Sequence, residues 1–404
     1  MGEVEVITAA GDFWRRVADE VADDLAVDAI DRERAGKPPF DEVERLRESG
    51  LPAVLVPPGP DGRGTGWRDA CAVVRRVAAA DGSVGELLGR HYVLSWSARF
   101  FADPERAAVL EERAAREGWL WAGDTGTPGP LPRGDLPGPT LAPAADGGGH
   151  LLLDGHRALP TAVNEADRLV VDAVCAVTHE PVVVVVDARH PRIGRDQPHD
   201  RLGQRLTGAG TVHFDGVPVA AADVLGPACR DEDMTPPHSA LAPLALGLML
   251  TQVALGVAEG ALAEARDLGR SARHARPSHD DADLLLAYGE LALALHTASA
   301  VTDRATAAMA DALAAGPALD HERRADTAAQ VAVAGTVTAK AALLTGERVL
   351  ALTDAEGVDR FWRNVLALVD RGPAGPTMRA IGDHYLNTAR GGAPSAPWPV
   401  RYGG

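Results

Sequence analysis

From about Pro236 onward the chain is written almost entirely in helix-forming residues. Alanine-rich amphipathic stretches at 241–268, 281–314 and 323–352 follow one another, with a shorter one across 358–369. A helix rises ~1.5 Å per residue, so stretches of ~30 residues are rods of about 45 Å. Rods of that length with an apolar face hide it best against one another, which calls for a bundle. The segment 240–258 (ALAPLALGLMLTQVALGVA) is apolar enough to raise the question of a membrane span. It contains Pro243, Thr251 and Gln252, has no arginine or lysine close by, and runs straight into an acidic amphipathic segment. It reads as a buried helix of the bundle.

Upstream the texture changes twice. Phe13, Val17, Val21 and Leu25 recur every fourth position and mark one helix face, and residues 40–49 repeat the pattern until Gly50 stops it. After GPDGRGTGW a further helix runs through Val73, Val74 and Val77. Ser83 and Glu86 have capping-box spacing at the head of a helix carrying His91, Tyr92 and Trp96. Asp103 and Pro104 open another, which Gly118 ends. Residues 124–149 are too rich in proline and glycine for a helix or a central strand. Short β-like runs follow at 151–153, 169–174, 182–186 and 211–214 without helices between them, which argues against a Rossmann sheet. The fold expected is α+β: an N-terminal helical domain over 1–118, a middle antiparallel β domain over 119–230, and a C-terminal long-helix bundle over 231–404.

Charge and cysteine usage narrow the partners. The 404 residues carry a formal charge of -17, which repels phosphate backbones and anionic lipid, so neither nucleic acid nor membrane is expected. Cys71, Cys175 and Cys229 are far apart and form no CxxC pair, as in a cytoplasmic protein. The N-terminus has no basic region followed by an apolar one, so no secretory signal is expected. GRGTG at 62–66 lacks the preceding strand and the spacing of a dinucleotide loop. His190, His199, His274 and His321 show no H-x-x-x-H pairing, and no metal site is expected.

Several stretches, taken in order, resemble one family. GLPAVLVPPGPDGRGTGWRDACAVVRRVAAADGSVGELLGRHYVL is similar to the N-terminal region of acyl-CoA dehydrogenase-fold flavoproteins, in the monooxygenase branch that includes dibenzothiophene monooxygenase. EGWLWAGDT resembles the strand entering that family's β domain, and LDGHRALPTAVNEADRLVVDA its flavin-facing strand pair. LGQRLTGAGTVHFDGVPVAAADVLG is the match most specific to the branch, and GVDRFWRNV with MRAIGDHYLN resembles its C-terminal helices. The resemblance implies a cytoplasmic enzyme, assembled as a homotetramer or homodimer. It would take reduced flavin from a separate reductase and use dioxygen to oxygenate a small molecule. The alanine, glycine and arginine richness has the flavour of bacterial specialised biosynthesis.

Site residues are implied one at a time. His91 matches the family histidine facing the flavin and is expected to donate to the flavin peroxide or accept a substrate proton. Trp121, Asp124 and Thr125 fall where donors line the isoalloxazine, and Thr161 where a hydroxyl sits near the ring. Arg270, Arg273 and Arg276 match a basic segment that grips flavin phosphate, a task suited to the planar guanidinium. Where the branch carries two histidines after its RNV segment, this chain has Leu368 and Arg371, leaving Asp370 and Arg371 as expected charge holders. The link LALTDAEGVDRF is short and lacks a glycine-rich turn, which favours FMN over FAD. The alternatives are acyl-CoA dehydrogenase oxidation of a thioester, or a diverged flavin-independent lyase, cyclase or binding protein. The former needs a carboxylate base, yet Gly372 stands at the usual position, two residues from Asp370.

Overall fold

In the computed structural model the described residues are 2–56, 64–124, 138–144, 150–198, 201–228, 236–275, 282–353, 355–369 and 375–387; the side chains of 2–9 and 272–275 are not among them. The chain opens with helices α1 (Gly2–Val27), α2 (Ala29–Ala35), α3 (Phe40–Ser49), α4 (Trp67–Ala80), α5 (Gly82–Ser95), α6 (Ser97–Phe101) and α7 (Pro104–Glu117). A 3-10 turn at Leu51–Ala53 follows α3. Asp103 accepts the Arg106 N–H to cap α7, whose first residue is Pro104, and Gly118 ends it at φ 63°. Gly50 ends α3 in the same left-handed conformation. The α5 cap differs from the expected box. Asp81 Oδ1 accepts the N–H groups of Ser83 and Val84, at 2.9 and 3.1 Å, which frees the Ser83 hydroxyl for a tertiary contact.

Strands β1 (Trp121–Asp124), β2 (Thr140–Pro143), β3 (Leu151–Leu159), β4 (Arg168–Cys175), β5 (Pro181–Asp187), β6 (Ile193–Asp196), β7 (Gly210–Val219) and β8 (Val224–Pro227) form one sheet, ordered β6-β7-β3-β2-β4-β5-β8. The sheet is mixed, not antiparallel as expected. β1 and β2 both run parallel to β4, end to end along the same edge of it. The chain leaves β1, makes the β2–β3 hairpin and returns, an excursion long enough to bring β4 back in the same direction. β2 also overturns the exclusion of a central strand from the proline-rich segment. Pro139 precedes it and Pro143 is its last residue, so the prolines stand at the ends, where a missing N–H matters least.

Alternation along β4 and β5 divides the sheet. Val170, Val183 and Val185 pack with Trp119, Trp121 and the helical residues Leu94, Ala98 and Ala107. Leu169, Val171, Val184 and Val186 belong to the main core, which continues into the bundle through Leu87, Leu248 and Val253. That bundle comprises α8 (Leu241–Ala275), α9 (Ala282–Ala315), α10 (His321–Leu352), α11 (Asp359–Leu368) and α12 (Gly375–Asn387). α8 packs against α4, α5, α9, α10 and α11. Gly256 and Gly260 let its backbone press on the carbonyls of Arg75 and Ala79, where a Cβ would not fit. Among the described residues three helices are long and apolar enough to cross a membrane, and the relevant window of α8 is 94% buried within the protein itself.

Candidate active site

Helix α5 is the wall on which the site is built, and its faces do different work. His91 is 2% exposed. Its Nδ1 accepts the Trp121 backbone N–H at 3.1 Å, which puts the ring proton on Nε2, and Nε2 donates to the Pro52 carbonyl at 2.8 Å. Burial pushes its pKa down to about 4, against the weaker opposing effect of the Pro52 carbonyl. The proton that His91 can donate thus sits on Nε2, facing the Pro52 carbonyl. A neutral ring with both nitrogens engaged is a brace tying α5 to β1 and to the Leu51–Ala53 turn. It lines a cavity of about 340 Å³ with Pro52, Leu55, Trp96, Trp119 and Trp121.

The opposite side of α5 meets the loop 201–208 in a buried polar seam. Gln204 N donates to Asn364 Oδ1 at 2.8 Å, and Gln204 Nε2 to Glu86 Oε2 at 2.8 Å and to the Gly82 carbonyl at 3.1 Å. The Ser83 hydroxyl donates to Gln204 Oε1 and accepts the Leu206 N–H, both at 3.3 Å. Arg90 Nε completes the network on Glu86 Oε1 at 2.7 Å. The loop in turn holds the turn after β3, where Ala162 N donates to the Thr207 carbonyl and Val163 N to that of Gly208, at 2.8 and 2.9 Å. Ala162 and Gln204 both have left-handed backbones, at φ 53° and 51°. For residues with a Cβ such strain persists only where surroundings enforce it, and it concentrates at working sites. Thr161 is held in this turn, 1% exposed, and its Oγ1 has no hydrogen-bond partner among the described residues.

The remaining expected residues are placed unevenly. Thr161 does not line the cavity beside His91. Trp121 stacks edge-on against Trp119 at 5.5 Å, in the sheet face packed on α5 to α7. Asp124 does not serve as a free donor: a carboxylate only accepts, and Oδ2 takes Arg157 Nη2 at 2.8 Å. Arg270 is exposed, its Nη1 4.0 Å from Asp267. Thr125, Arg276, Asp370 and Arg371 lie outside the described residues, as does the side chain of Arg273. Sequence reasoning gave Glu86 only a capping role and passed over Arg90, Gln204 and Asn364. The one available signal was a Glu–Arg pair at i, i+4 inside the otherwise apolar GSVGELLGRHYVLS. No group of three or more metal-ligating side chains converges among the described residues.

This architecture has known counterparts. Residues 10–116 match the acyl-CoA dehydrogenase N-terminal domain and residues 248–369 the acyl-CoA dehydrogenase C-terminal domain. Dibenzothiophene monooxygenase of Rhodococcus qingshengii is 30% identical over 392 residues, covering 92% of each chain. "Probable FMNH2-dependent monooxygenase SfnC" of Pseudomonas putida is 28% identical over 93% of this chain and 95% of its own. Among solved structures, FMN-bound TdsC of Paenibacillus superposes with a TM-score of 0.83 at 28% identity, over 95% of this chain and 99% of the other. The same protein has also been solved with FMN and indole together. The chain belongs to the acyl-CoA dehydrogenase family, in the flavin-dependent monooxygenase branch of the dibenzothiophene monooxygenases.

Proposed function

We propose that the protein uses reduced FMN, delivered by a separate reductase, and dioxygen to oxygenate a small molecule in the cytoplasm. The carrying observation is the Thr161 hydroxyl, buried in the turn after β3 and without a hydrogen-bond partner among the described residues. An orphaned polar group of that kind is a standing cost of ~1–3 kcal/mol unless something else meets it. A flavin ring edge, with its carbonyl and nitrogen acceptors and donors, is a group that would. Thr161 and the backbone of β1 would hold the ring, and the arginines at the end of α8 are the candidates for its phosphate. When bound, reduced FMN would supply the two electrons that let one atom of dioxygen enter the substrate while the other leaves as water.

The protein's own part is to position and to exclude water. His91 fixes β1 against α5 through the Trp121 N–H, and burial keeps its ring uncharged at neutral pH. The seam of Gln204, Glu86 and Asn364 holds the Thr161 turn at a fixed distance from the bundle. A preorganised, dry pocket is what oxygen chemistry requires, since stray water and protons divert reduced flavin to hydrogen peroxide. The Thr161→Val variant separates cofactor contact from architecture. Removing an unpartnered hydroxyl should leave apo stability unchanged or higher, while FMN affinity falls about tenfold, the worth of one hydrogen bond. Melting curves and FMN fluorescence titration read the two effects, and unchanged FMN affinity would remove Thr161 from the site. Incorporation of one atom of ¹⁸O₂ into product, with reductase-supplied FMNH2, tests the reaction itself. We infer that the active form is a homo-oligomer built on the apolar surface of α9.

A further inference from the structure

A second cavity, of about 810 Å³, lies along α4 and α8 between α1 and α9. Much of its wall is small and apolar, with Ala26 from α1, Ala72 and Ala79 from α4, and Gly260, Ala263 and Leu268 from α8. Toward the first turns of α4 the wall becomes polar, at Cys71, Gln252 and Thr306. Gln252 is 2% exposed, and its Nε2 donates to Thr306 Oγ1 at 2.8 Å. Thr306 spends its own proton on the Thr302 carbonyl at 2.9 Å, so its oxygen can only accept. That fixes which way the amide is turned, because the reversed amide would set two acceptors against each other. Gln252 Oε1 is thereby left buried, with no hydrogen-bond partner among the described residues. A buried acceptor without a donor is costly to keep, and this one belongs to a residue on a cavity wall.

The charges around the cavity decide what kind of molecule suits it. Its three lining arginines are matched already: Arg68 on Asp311, Arg75 on Glu259 and Asp303, Arg76 on Asp19 and Asp23. Five carboxylates stand in the same lining, so an anion would face a net negative wall. A cation would find those carboxylates engaged, Glu264 by Arg360 and Asp267 by Arg266 among them. Burial pushes the Cys71 thiol up to about 12, which keeps its sulfur uncharged. A neutral molecule is what remains. One open acceptor calls for one proton, which a hydroxyl brings. A primary amide would add a second donor and a carbonyl, each needing its own partner.

We propose that this cavity binds a neutral, largely apolar molecule through a single hydroxyl, which donates to Gln252 Oε1 while the hydrocarbon lies along the alanine-lined wall. Gln252 and Leu268 are 16 residues apart on α8, or ~24 Å along its axis, which exceeds the length of an extended octyl chain. The site is distinct from the candidate active site. None of the residues around it lines the tryptophan cavity, and neither Thr161 nor the 201–208 loop is among them. It stands whether or not the protein binds flavin.

The test titrates 1-octanol, its isomer 1-methoxyheptane, and octanoate calorimetrically into the full-length protein without flavin. The alcohol and the ether contain the same atoms, and only the alcohol has a proton to give. 1-Octanol is expected to bind about tenfold tighter than the ether, the worth of one hydrogen bond to an otherwise unmet acceptor, and tighter than octanoate by at least as much. Gln252→Met keeps the volume and removes the acceptor, and should bring alcohol and ether to the same affinity. Ala263→Trp, at a half-buried position of the wall, fills the apolar part and should abolish binding of both. Equal or undetectable binding of alcohol and ether to the wild type overturns the proposal. So does a preference that survives Gln252→Met, octanol affinity unchanged in Ala263→Trp, or octanoate binding as tightly as octanol. Melting curves establish that the variants fold; if Gln252→Met does not, the wild-type comparison together with Ala263→Trp decides between the same outcomes.

Discussion

Two buried titratable residues pull stability in opposite directions over the same pH range. Burial pushes the Glu165 carboxyl up to about 7 from 4.5, with one oxygen accepting the Asn164 N–H and the other unpartnered. It lies under Gly208, near Glu42 and Arg195. The native state therefore holds a proton on Glu165 that the unfolded chain has released, and stability falls as pH rises from 4.5 to about 7. His91 does the reverse: the unfolded ring charges near 6.5 and the native one only near 4, so stability falls as pH drops through that window. A fully separated single group tilts stability by about 1.4 kcal/mol per pH unit, so between about pH 5 and 6.5 the two contributions cancel. Glu165→Gln should unmask a rise in stability with pH across that interval, and His91→Gln a fall. Urea unfolding at several pH values checks both, and parallel profiles in all three proteins would refute the assignment. His91→Ala should in addition cost about 2–4 kcal/mol, from the cavity and the unmet Trp121 N–H.

At the scale of an element, α5 depends on an acid that sequence spacing did not single out. Asp81 caps the helix with Oδ1 while Oδ2 takes Arg32 Nη1 at 2.5 Å, itself 3.5 Å from Glu42. Asp81→Ala should lose both functions, a cap worth about 1 kcal/mol and a buried pair whose breaking costs about 3–5 kcal/mol. Asp81→Asn retains the cap and should fall between; losses equal to those of Asp81→Ala would mean that the ion pair alone matters. Ser83–Glu86 looked like the cap because the box is a local pattern, and local patterns can be read. Gly50, Asp103–Pro104 and Gly118 were legible for that reason. The true use of Ser83 is set by Gln204, 121 positions away, and that of Glu86 by the same residue at 118. The parallel pairing of β1 and β2 with β4 is equally non-local. His91 shows the same limit from the other side. Its position could be named, but its protonation follows from the Pro52 carbonyl and the Trp121 N–H, which no motif records.

At the scale of the molecule, α9 presents apolar side chains that the described residues leave uncovered. The long rods of the bundle were readable from periodicity, but periodicity does not say what each face meets. The apolar window of α8 is 94% buried within the chain and that of α9 only 17%. Leu285, Leu286 and Leu293 are 60%, 63% and 71% exposed, and on α12 Tyr385 and Leu386 reach 66% and 74%. Leu286 and Leu293 are seven residues apart and share one helix face. Large apolar side chains gathered on a long helix mark an interaction surface, and a symmetric pairing of α9 with its counterpart would cover both copies at once. Each leucine removed from water would contribute about 1.5–3 kcal/mol. Light scattering should therefore find the wild type as a dimer or tetramer at micromolar concentration. Leu286→Glu/Leu293→Glu, which places desolvated charges in that surface, should yield a smaller species with a lower melting temperature. A wild type that is already monomeric would leave α9 without a partner and exclude self-association as the reason for its exposed leucines.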